Sequence, residues 1–503
     1  MKENSSFFAS RAAWLTALLV LFILGFAIRL YDLTDLPLEF HSTRQLLSAL
    51  KARGMYYQTL SETEVPAGYR SFAIQQWKFR ASVEPEFFER VVAFTYQFTG
   101  EQVWIARIYS SLFWMIGAVF LFLLARDLSS TDGAIAATAF YLLSPYAIAA
   151  SRSFQPDPLM VMLITIFLWA VYKWAQQPSS YIWAIIAGLF GGFAIFIKLV
   201  AAFFVIGGGL GALLASLGQR SLREALKQPQ IYVMSVLGIL PGAAYVVYGV
   251  FIAGYLGRQF GGRFIPSLFL SPSYYLGWIA MLNLVIGGAT LTMALLGLFF
   301  LEKERLRFIL SLWAGYALFG IYFNYHISTH DYYSLPLIPI VALSLTRLAD
   351  WFFAQLAKLT TTRMTRLAAY CLLLFGISMS LWNTRAQMKS VDYRPDVAMW
   401  TEISQKIGDK TVAGLTKDYG SRLAYWGWRS AANWPQEGDI NYRKDRGGNF
   451  DFEKIFKEIT DGKDYFLVTD FDQLKRQPLL QEKLSQLPVV FSGEGYIVYD
   501  LRK

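Results

Sequence analysis

Long apolar runs separated by short polar stretches dominate the chain up to about residue 390. A helix that crosses a bilayer needs about 20 predominantly apolar residues. Measured against that length, the pattern predicts about eleven membrane-spanning helices. They lie near residues 12–31, 106–126, 132–150, 158–175, 181–197, 199–216, 230–251, 277–301, 308–325, 333–350 and 367–383. The predicted fold class is therefore a polytopic α-helical membrane protein over residues 1–390.

Residues 32–105 interrupt this pattern with a loop that is too long to be a simple connection, and loops of that length tend to be functional. The loop contains two amphipathic stretches, one after Arg44 and one from about Pro85 to Phe98. Amphipathic helices of this kind lie along a membrane interface. We therefore expect juxtamembrane helices in this loop.

From about residue 391 the charge rises and the long apolar runs stop. Helix-like and β-like runs alternate there, which predicts a small soluble α/β domain over residues 391–503. The helix-like runs are 395–406, 452–460 and 479–486, and the β-like runs are 411–415, 465–469, 489–492 and 496–501.

Composition agrees with the membrane assignment. Hydrophobic residues make up 55% of the chain and charged residues only 16%, against about 25% charged in a typical soluble domain. The net charge of +10 does not indicate a nucleic-acid partner, because Lys and Arg concentrate in short loops between apolar helices. The single cysteine, Cys371, excludes a disulfide within the chain and argues against a catalytic thiol.

The basic residues of the short loops predict the orientation. Fourteen fall on one side: Lys2, Arg11, Arg126, Lys173, Arg220, Arg223, Lys227, Lys303, Arg305, Arg307, Arg347, Lys358, Arg363 and Arg366. Four fall on the other: Arg152, Lys198, Arg258 and Arg263. The positive-inside rule then places the N-terminus in the cytoplasm, and an odd number of spans places residues 391–503 outside it.

The segment after the first predicted span gathers ionisable groups at the edge of the bilayer, where they mark a functional site by default. Glu39 is a candidate general base on an acceptor hydroxyl or amine, and Arg44 is a candidate for binding a phosphate. The alternative is structural: Ser42 or Thr43 caps a helix, and the acidic residues before it favour the helix dipole.

Two further acidic positions have similar alternatives. Glu84 is either a metal ligand or acceptor-orienting group, or part of a helix start with Pro85 in its first turn. Arg152 and Asp157 lie in a short outer turn, where they either pair with each other or line a polar cavity. On balance the turn favours function.

Three cations on the predicted outer side are candidates for binding a lipid phosphate. Lys198 lies between two apolar helices, where it either extends to the headgroups or holds a phosphate as a point charge. Arg258 and Arg263 lie on a glycine-rich loop that either closes over a substrate or binds anionic lipid.

All three histidines of the chain, His41, His326 and His330, fall on the predicted outer face. With Glu84, His330 could ligate a divalent cation. No close ligand spacing such as His-Glu-x-x-His is present to support such a metal site.

In order, these residues resemble the GT-C glycosyltransferases, specifically the bacterial group related to protein O-mannosyltransferases and to the aminoarabinose transferases of lipid A. The similarity spans about residues 28–340. It rests on a Pro-Leu and acidic-His-x-x-Arg-Gln segment, a Glu-Pro pair, a Ser-Arg and Gln-Pro-Asp turn, an outer lysine and a His-Asp-Tyr-Tyr run. These motifs comprise Pro37, Leu38, Glu39, His41, Arg44, Gln45, Glu84, Pro85, Arg152, Gln155, Asp157, Lys198, His330, Asp331 and Tyr333.

The resemblance implies transfer of a sugar from a polyprenyl-phosphate donor to a lipid, glycan or protein acceptor, outside the cytoplasm at a bacterial plasma membrane. It implies that an acidic residue of the first loop is the base. Many relatives have an Asp-Glu pair where this chain has His41-Ser42. A subgroup instead places an aspartate two residues before the histidine, and Glu39 fills that position. Glu39 is therefore the expected base, with Asp35 or Asp32 as alternatives and His41 beside it. The donor phosphate would be held by Arg44, Arg152, Lys198, Arg258 and Arg263, and the acceptor oriented by Gln45, Glu84, Asp157, His330, Asp331 and Tyr333.

Two other functions are compatible with the sequence. A transporter or flippase of a lipid-linked substrate would explain the spans and the charges, but it needs neither the long first loop nor the soluble domain, and no paired repeats are visible. A non-catalytic protein that keeps the GT-C scaffold is supported by the missing Asp-Glu pair.

Overall fold

The computed structural model describes residues 6–80, 83–218, 220–257 and 263–502. They form two compact units. The first, which we call the helical unit, comprises Met1–Leu33, Ser82–Phe87 and Ile105–Ser390. The second, which we call the mixed unit, comprises Thr34–Ala81, Phe88–Trp104 and Val391–Lys503.

The helical unit holds the apolar helices. Six described helices are long and apolar enough to cross a membrane: Arg11–Leu30, Trp104–Leu128, Asp157–Gln176, Pro229–Ile252, Leu337–Leu359 and Arg363–Met388. The other helices are Thr131–Leu143, Pro145–Ala150, Tyr181–Ile197, Ala201–Ser216, Leu222–Leu226, Pro272–Val285, Gly288–Gly297, Lys303–Tyr322 and Asn324–Thr329, with single turns at Pro266–Leu270, Leu298–Phe300 and Asp331–Ser334. The protein is a multi-pass membrane protein. Every predicted span overlaps a helix, while the total of eleven stays a prediction.

Two predicted spans are broken. The span predicted at 132–150 stops at Leu143 and resumes at Pro145, because Ser144 is extended, the conformation imposed on a residue before proline. The span predicted at 277–301 is two helices, Pro272–Val285 and Gly288–Phe300, bent by 88°. Gly287 makes the bend possible, since its φ of +82° is accessible to glycine and strained for other residues.

Small residues bring neighbouring helices of this unit into close contact. A Cβ added to Gly192 would lie 2.2 Å from the carbonyl oxygen of Leu237, and one added to Gly188 would lie 2.9 Å from that of Met234. Helix Tyr181–Ile197 therefore lies directly against the backbone of Pro229–Val247, as expected for packing inside a membrane, where small residues allow close approach.

The mixed unit combines helices with one sheet. Its helices are Ser42–Thr59, Tyr69–Phe79, Phe87–Thr99, Asp396–Ile407, Ser421–Trp426, Glu437–Asp445, Phe452–Thr460, Phe471–Lys475 and Pro478–Ser485. Its strands are β1 (Val412–Leu415), β2 (Ala431–Asn433), β3 (Tyr465–Val468), β4 (Val489–Gly493) and β5 (Tyr496–Asp500).

The sheet has the order β2-β1-β3-β5-β4. Strand β1 runs parallel to β2 and β3, and β5 runs antiparallel to β3 and β4. Alternate side chains of the strands face opposite sides. Val412 packs with Trp400 and Ile403 on one side, while Ala413 packs with Trp434 and Leu480 on the other. Helices cover both faces, which is the predicted α/β arrangement.

Candidate functional site

A buried ion pair lies at the centre of the polar residues of the helical unit. Lys198 ends helix Tyr181–Ile197 in an extended conformation, and Asp157 begins helix Asp157–Gln176. The ammonium Nζ of Lys198 donates to Asp157 Oδ1 at 2.9 Å. Both side chains are buried, and a second carboxylate, that of Glu84, has its Oε1 4.0 Å from Nζ. Three residues predicted separately are therefore one cluster.

Lys198 also faces aromatic rings. Its Nζ lies 5.1 Å from the ring centre of Tyr332 and 5.3 Å from that of Tyr333. A cation at this distance is attracted to the ring face. The predicted residue Tyr333 thus belongs to the cluster, while Tyr332 was not predicted.

A cavity of about 280 Å³ opens beside this cluster. Three of its lining residues, Glu84, Lys198 and Arg263, are charged and the others are apolar or aromatic, which suits a ligand with an anionic head and a hydrocarbon tail. The lining residues are Val83, Glu84, Pro85, Lys198, Leu199, Val200, Phe203, Leu256, Arg263, Tyr322, Phe323 and Tyr333. Asp157, the partner of Lys198, is not among the lining residues.

Arg263 brings a second cation to the cavity and contacts His326, whose Nε2 lies 3.0 Å from its Nη1. Because guanidinium can only donate, Nε2 is the acceptor and the ring is neutral. Burial, together with the positive charge of Arg263, lowers the pKa of His326 to about 3. His326 therefore serves as a neutral hydrogen-bond acceptor that orients Arg263.

His330 and Asp331 follow immediately in the chain. The rings of His326 and His330 are 5.5 Å apart, and His330 Nδ1 lies 2.7 Å from the hydroxyl of Thr329. The carboxylate of Asp331 lies within electrostatic range of the Tyr146 phenol. These two residues thus lie near the cluster, with partners that the sequence did not suggest.

A metal site is not assembled by the residues that the structure describes: no group of three or more His, Cys, Asp or Glu side chains could hold an ion. Glu84 is near Lys198, which supplies the positive charge that a cation would bring. Binding of a divalent cation by Glu84 and His330 therefore stays a prediction.

Arg152 has different surroundings from those predicted. It is 2% exposed, and its guanidinium donates to the carbonyl oxygens of Tyr31 at 2.7 Å and Asp32 at 3.1 Å. Arg107 donates to the carbonyl of Leu33 at 2.9 Å. These arginines hold the chain where it leaves the first helix. Arg152 is not among the residues that line the cavity beside Lys198. Arg258 lies outside the described residues.

The predicted first-loop residues belong to the mixed unit. Asp35 is buried, and its Oδ1 accepts from the backbone N–H of Tyr393 at 3.2 Å. Gln45 is fully buried and donates to the carbonyl of Phe40 at 2.7 Å. Glu39, His41 and Arg44 are only partly buried, so solvent reaches these side chains.

Helix Ser42–Thr59 begins after His41, which adopts a left-handed conformation with φ of 47°. The structural alternative correctly predicts that a helix begins here, but the capping position is His41 and not Ser42 or Thr43. The side chain of His41 makes no capping hydrogen bond. Ser42 and Thr43 instead donate their hydroxyls to Asp418, at 2.5 and 2.7 Å. No sequence pattern signalled Asp418.

The sequence and the structure each resemble known proteins. Residues 84–248 match the family described as dolichyl-phosphate-mannose-protein mannosyltransferase. The match begins at Glu84 and includes Asp157 and Lys198. No curated protein sequence is recognisably similar to this chain.

Two solved structures have a similar fold over nearly the whole chain. The first is ArnT from Cupriavidus metallidurans bound to undecaprenyl phosphate, with a TM-score of 0.61 and 16% identity, covering 97% of this chain and 98% of that one. The second is the archaeal oligosaccharyltransferase AglB from Archaeoglobus fulgidus, in complex with an inhibitory peptide and a dolichol-phosphate. Its TM-score is 0.54 and its identity 11%, with 96% of this chain and 74% of that one covered. The predicted GT-C fold, with a C-terminal sheet domain, is confirmed.

Proposed function

We propose that this chain, which has the GT-C fold, is a membrane glycosyltransferase that moves a sugar from a polyprenyl-phosphate donor to an acceptor. The observation that carries the proposal is the cavity beside Lys198, which joins a buried cation to an apolar and aromatic wall. A lipid phosphate has the matching chemistry. The similar structures of ArnT and AglB contain undecaprenyl phosphate and a dolichol-phosphate.

Lys198 and Arg263 would hold the donor phosphate in this cavity. Their charges stabilise the negative charge that grows on the phosphate as the bond to the sugar breaks. Asp157, which is buried against Lys198, would hold the ammonium in place, and His326 would do the same for the guanidinium of Arg263. Glu84, at the cavity surface, would accept a hydrogen bond from a sugar or acceptor hydroxyl.

The reaction would be one displacement. An acceptor oxygen or nitrogen forms a bond to the anomeric carbon, and the carbon–oxygen bond to the phosphate breaks, so the polyprenyl phosphate leaves with the bonding electrons. The acceptor proton goes to a carboxylate, for which we propose Glu39. Asp35 is a weaker candidate, because its carboxylate already accepts backbone N–H groups. A direct displacement inverts the anomeric configuration of a hexose or pentose.

The orientation predicted from the basic residues places the reaction outside the cytoplasm of a bacterial plasma membrane, with the N-terminus inside. A lipid-linked donor suits that side, since it needs no cytoplasmic nucleotide. The acceptor would be a lipid, a glycan or a protein.

The test is release of sugar from a panel of radiolabelled polyprenyl-phosphate sugars by the purified protein in detergent. Wild type is compared with Lys198→Gln, Glu39→Gln and Glu304→Gln, a control acidic residue that lines a different cavity. We expect Lys198→Gln to lose donor binding, Glu39→Gln to bind donor without turnover, and the control to match wild type. Parallel assays with EDTA and with added Mg²⁺ or Mn²⁺ test the predicted cation. Binding without turnover by wild type, whatever the acceptor, would argue for a carrier or non-catalytic protein.

A further inference from the structure

Asp418 connects the C-terminal part of the mixed unit to the start of its first long helix. Its Oδ1 accepts from the hydroxyls of Ser42 and Thr43, the first two residues of helix Ser42–Thr59. These partners are 376 and 375 residues away in sequence. The same helix start follows directly on the segment Asp35–His41, which contains Glu39.

Asp418 is itself held in place by a second set of charges. Its Oδ2 accepts from Arg422 Nε at 2.5 Å, and Arg422 donates from Nη1 to Asp396 Oδ2 at 2.6 Å. Asp418 and Arg422 are both 8% exposed. Since the carboxylate of Asp418 bonds through both oxygens, it is fixed in one orientation, with Oδ1 directed at the helix start.

The backbone at this position is strained. Asp418 and Tyr419 both have left-handed conformations, with φ of 54° and 51°, and Gly420 follows at 70°. Two consecutive non-glycine residues in this region are unusual, and such strain persists only where surrounding contacts enforce it. Here it directs the Asp418 carboxylate, so the strain points to a role for that side chain.

The other end of the segment is held in a similar way. Asp35 accepts from the backbone N–H of Tyr393, and its Oδ1 lies 3.9 Å from Arg394 Nη1. The carboxylate of Glu39 lies within electrostatic range of the Tyr393 phenol. The short segment that contains Glu39 is thus fixed at both ends by residues of the C-terminal part of the same unit.

We propose that Asp418 is a positioning residue, which orders the segment Asp35–Gln45 and thereby orients Glu39 through Ser42 and Thr43. Arg422 and Asp396 act behind it by fixing its carboxylate. The role assigned to Glu39 rests on the proposed function. The ordering of the segment by Asp418 does not, and it can be measured separately.

Four variants of the full-length protein test this. Asp418→Gly removes the carboxylate and relieves the backbone, since glycine adopts positive φ readily. Asp418→Asn tolerates this conformation and keeps one acceptor oxygen for the two hydroxyls, but its amide nitrogen cannot accept from Arg422. Ser42→Ala with Thr43→Val removes the link from its other side and leaves the strained turn intact. Lys483→Ala, which breaks the exposed pair with Glu453 in the same unit, is the control.

Hydrogen exchange of the peptides covering residues 35–46 is the first measurement. We expect Asp418→Gly and the double variant to speed exchange there at least about tenfold, which corresponds to about 1.4 kcal/mol. The exchange rate in Asp418→Asn should lie between those of Asp418→Gly and wild type, and the rate in Lys483→Ala should equal that of wild type. Unchanged exchange in Asp418→Gly and in the double variant overturns the proposal. If Asp418→Gly does not fold, the double variant decides.

Kinetics is the second measurement. We expect Asp418→Gly to lower kcat about ten- to a hundredfold, the scale of loss for a displacement of about 1 Å. The KM for the donor should stay within about twofold, because Lys198 and Arg263, to which we assign the donor phosphate, lie in the helical unit. Combining Asp418→Gly with Ser42→Ala and Thr43→Val should lower kcat little more than either change alone, because both remove the same link. A rise in KM with unchanged kcat overturns the positioning role. Absence of turnover in wild type would overturn the proposed function. Hydrogen exchange would still test whether Asp418 orders the segment Asp35–Gln45.

Discussion

Lys198 Nζ lies 2.9 Å from Asp157 Oδ1, and the two side chains are only 6% and 4% exposed. Removing one partner of such a pair leaves an uncompensated buried charge, which costs about 3–5 kcal/mol. Replacing both with apolar residues costs much less. The pair therefore makes this part of the helical unit sensitive to single substitutions.

We expect Lys198→Met to lower the thermal midpoint in detergent more than Asp157→Asn does. Lys198→Met leaves the Asp157 carboxylate without its cation, whereas after Asp157→Asn the ammonium still has Glu84 at 4.0 Å. The double variant Lys198→Met with Asp157→Leu should recover part of the loss. The more exposed pair of Lys173 and Asp127 is the control, and breaking it should cost about 1 kcal/mol or less. An equal effect of the two single substitutions would contradict this account.

The charges of the cavity predict opposite effects on binding of undecaprenyl phosphate. Glu84→Gln removes a negative charge from the cavity and should raise the affinity for undecaprenyl phosphate about fivefold. The reason is that the repulsion between two unit charges about 4 Å apart in water is about 1 kcal/mol. Lys198→Gln should lower the affinity at least about tenfold, because it removes a positive charge that attracts the phosphate. Both effects should shrink as salt is added.

Glu304→Gln supplies the control for that binding experiment, because Glu304 lines a separate cavity with Tyr172 and Gln176. Its affinity for undecaprenyl phosphate should equal that of wild type. Weaker binding in Glu84→Gln would mean that this carboxylate orders the site and does not repel the ligand.

His326 predicts a pH dependence of stability. Its pKa is about 3 in the folded protein, below the ordinary value of 6.5, so the unfolded chain binds a proton here that the folded protein does not. Above pH 6.5 the imidazole is neutral in both states and does not affect the free energy of unfolding. Below pH 6.5 protonation of the unfolded chain lowers the free energy of unfolding progressively as the pH drops toward 3. At pH 5 the loss is about 2 kcal/mol, from about 1.5 pH units at 1.36 kcal/mol each.

The measurement is the difference between thermal midpoints at pH 7 and pH 5. His326→Gln, which keeps an acceptor for Arg263, should reduce that difference, whereas His330→Gln should retain it. A wild-type difference that persists unchanged in His326→Gln would assign the acid sensitivity to other groups.

The sequence predicted the elements of this fold better than their contacts. Apolar runs located the helices, and alternation located β1, β3, β4 and β5. Strand β2 was missed, because three residues, Ala431–Asn433, are too short to show a pattern. The bend at Gly287 was missed because a glycine in an apolar helix usually continues the helix.

The site was predicted as residue types and not as a geometry. Lys198 and Asp157 are 41 residues apart, and nothing periodic connects them, so their pairing appears only in three dimensions. The same holds for Asp418, whose partners lie at the other end of the chain. Arg152 shows the same limit, because its hydrogen bonds to the carbonyls of Tyr31 and Asp32 could not be read from the sequence, and its phosphate-binding role stays a prediction.

Close packing of helices predicts the last effect. A Cβ at Gly192 would meet the Leu237 carbonyl at 2.2 Å, a distance that only movement of the backbone can relieve. Forcing extra atoms into such a contact typically costs about 1–3 kcal/mol. We therefore expect Gly192→Ala to lower the thermal midpoint. Gly209→Ala is the matched control, since a Cβ there meets no atom within 4 Å, and alanine favours a helix by about 1 kcal/mol over glycine. If both substitutions lower the midpoint equally, the contact between helix Tyr181–Ile197 and helix Pro229–Val247 is not what limits stability.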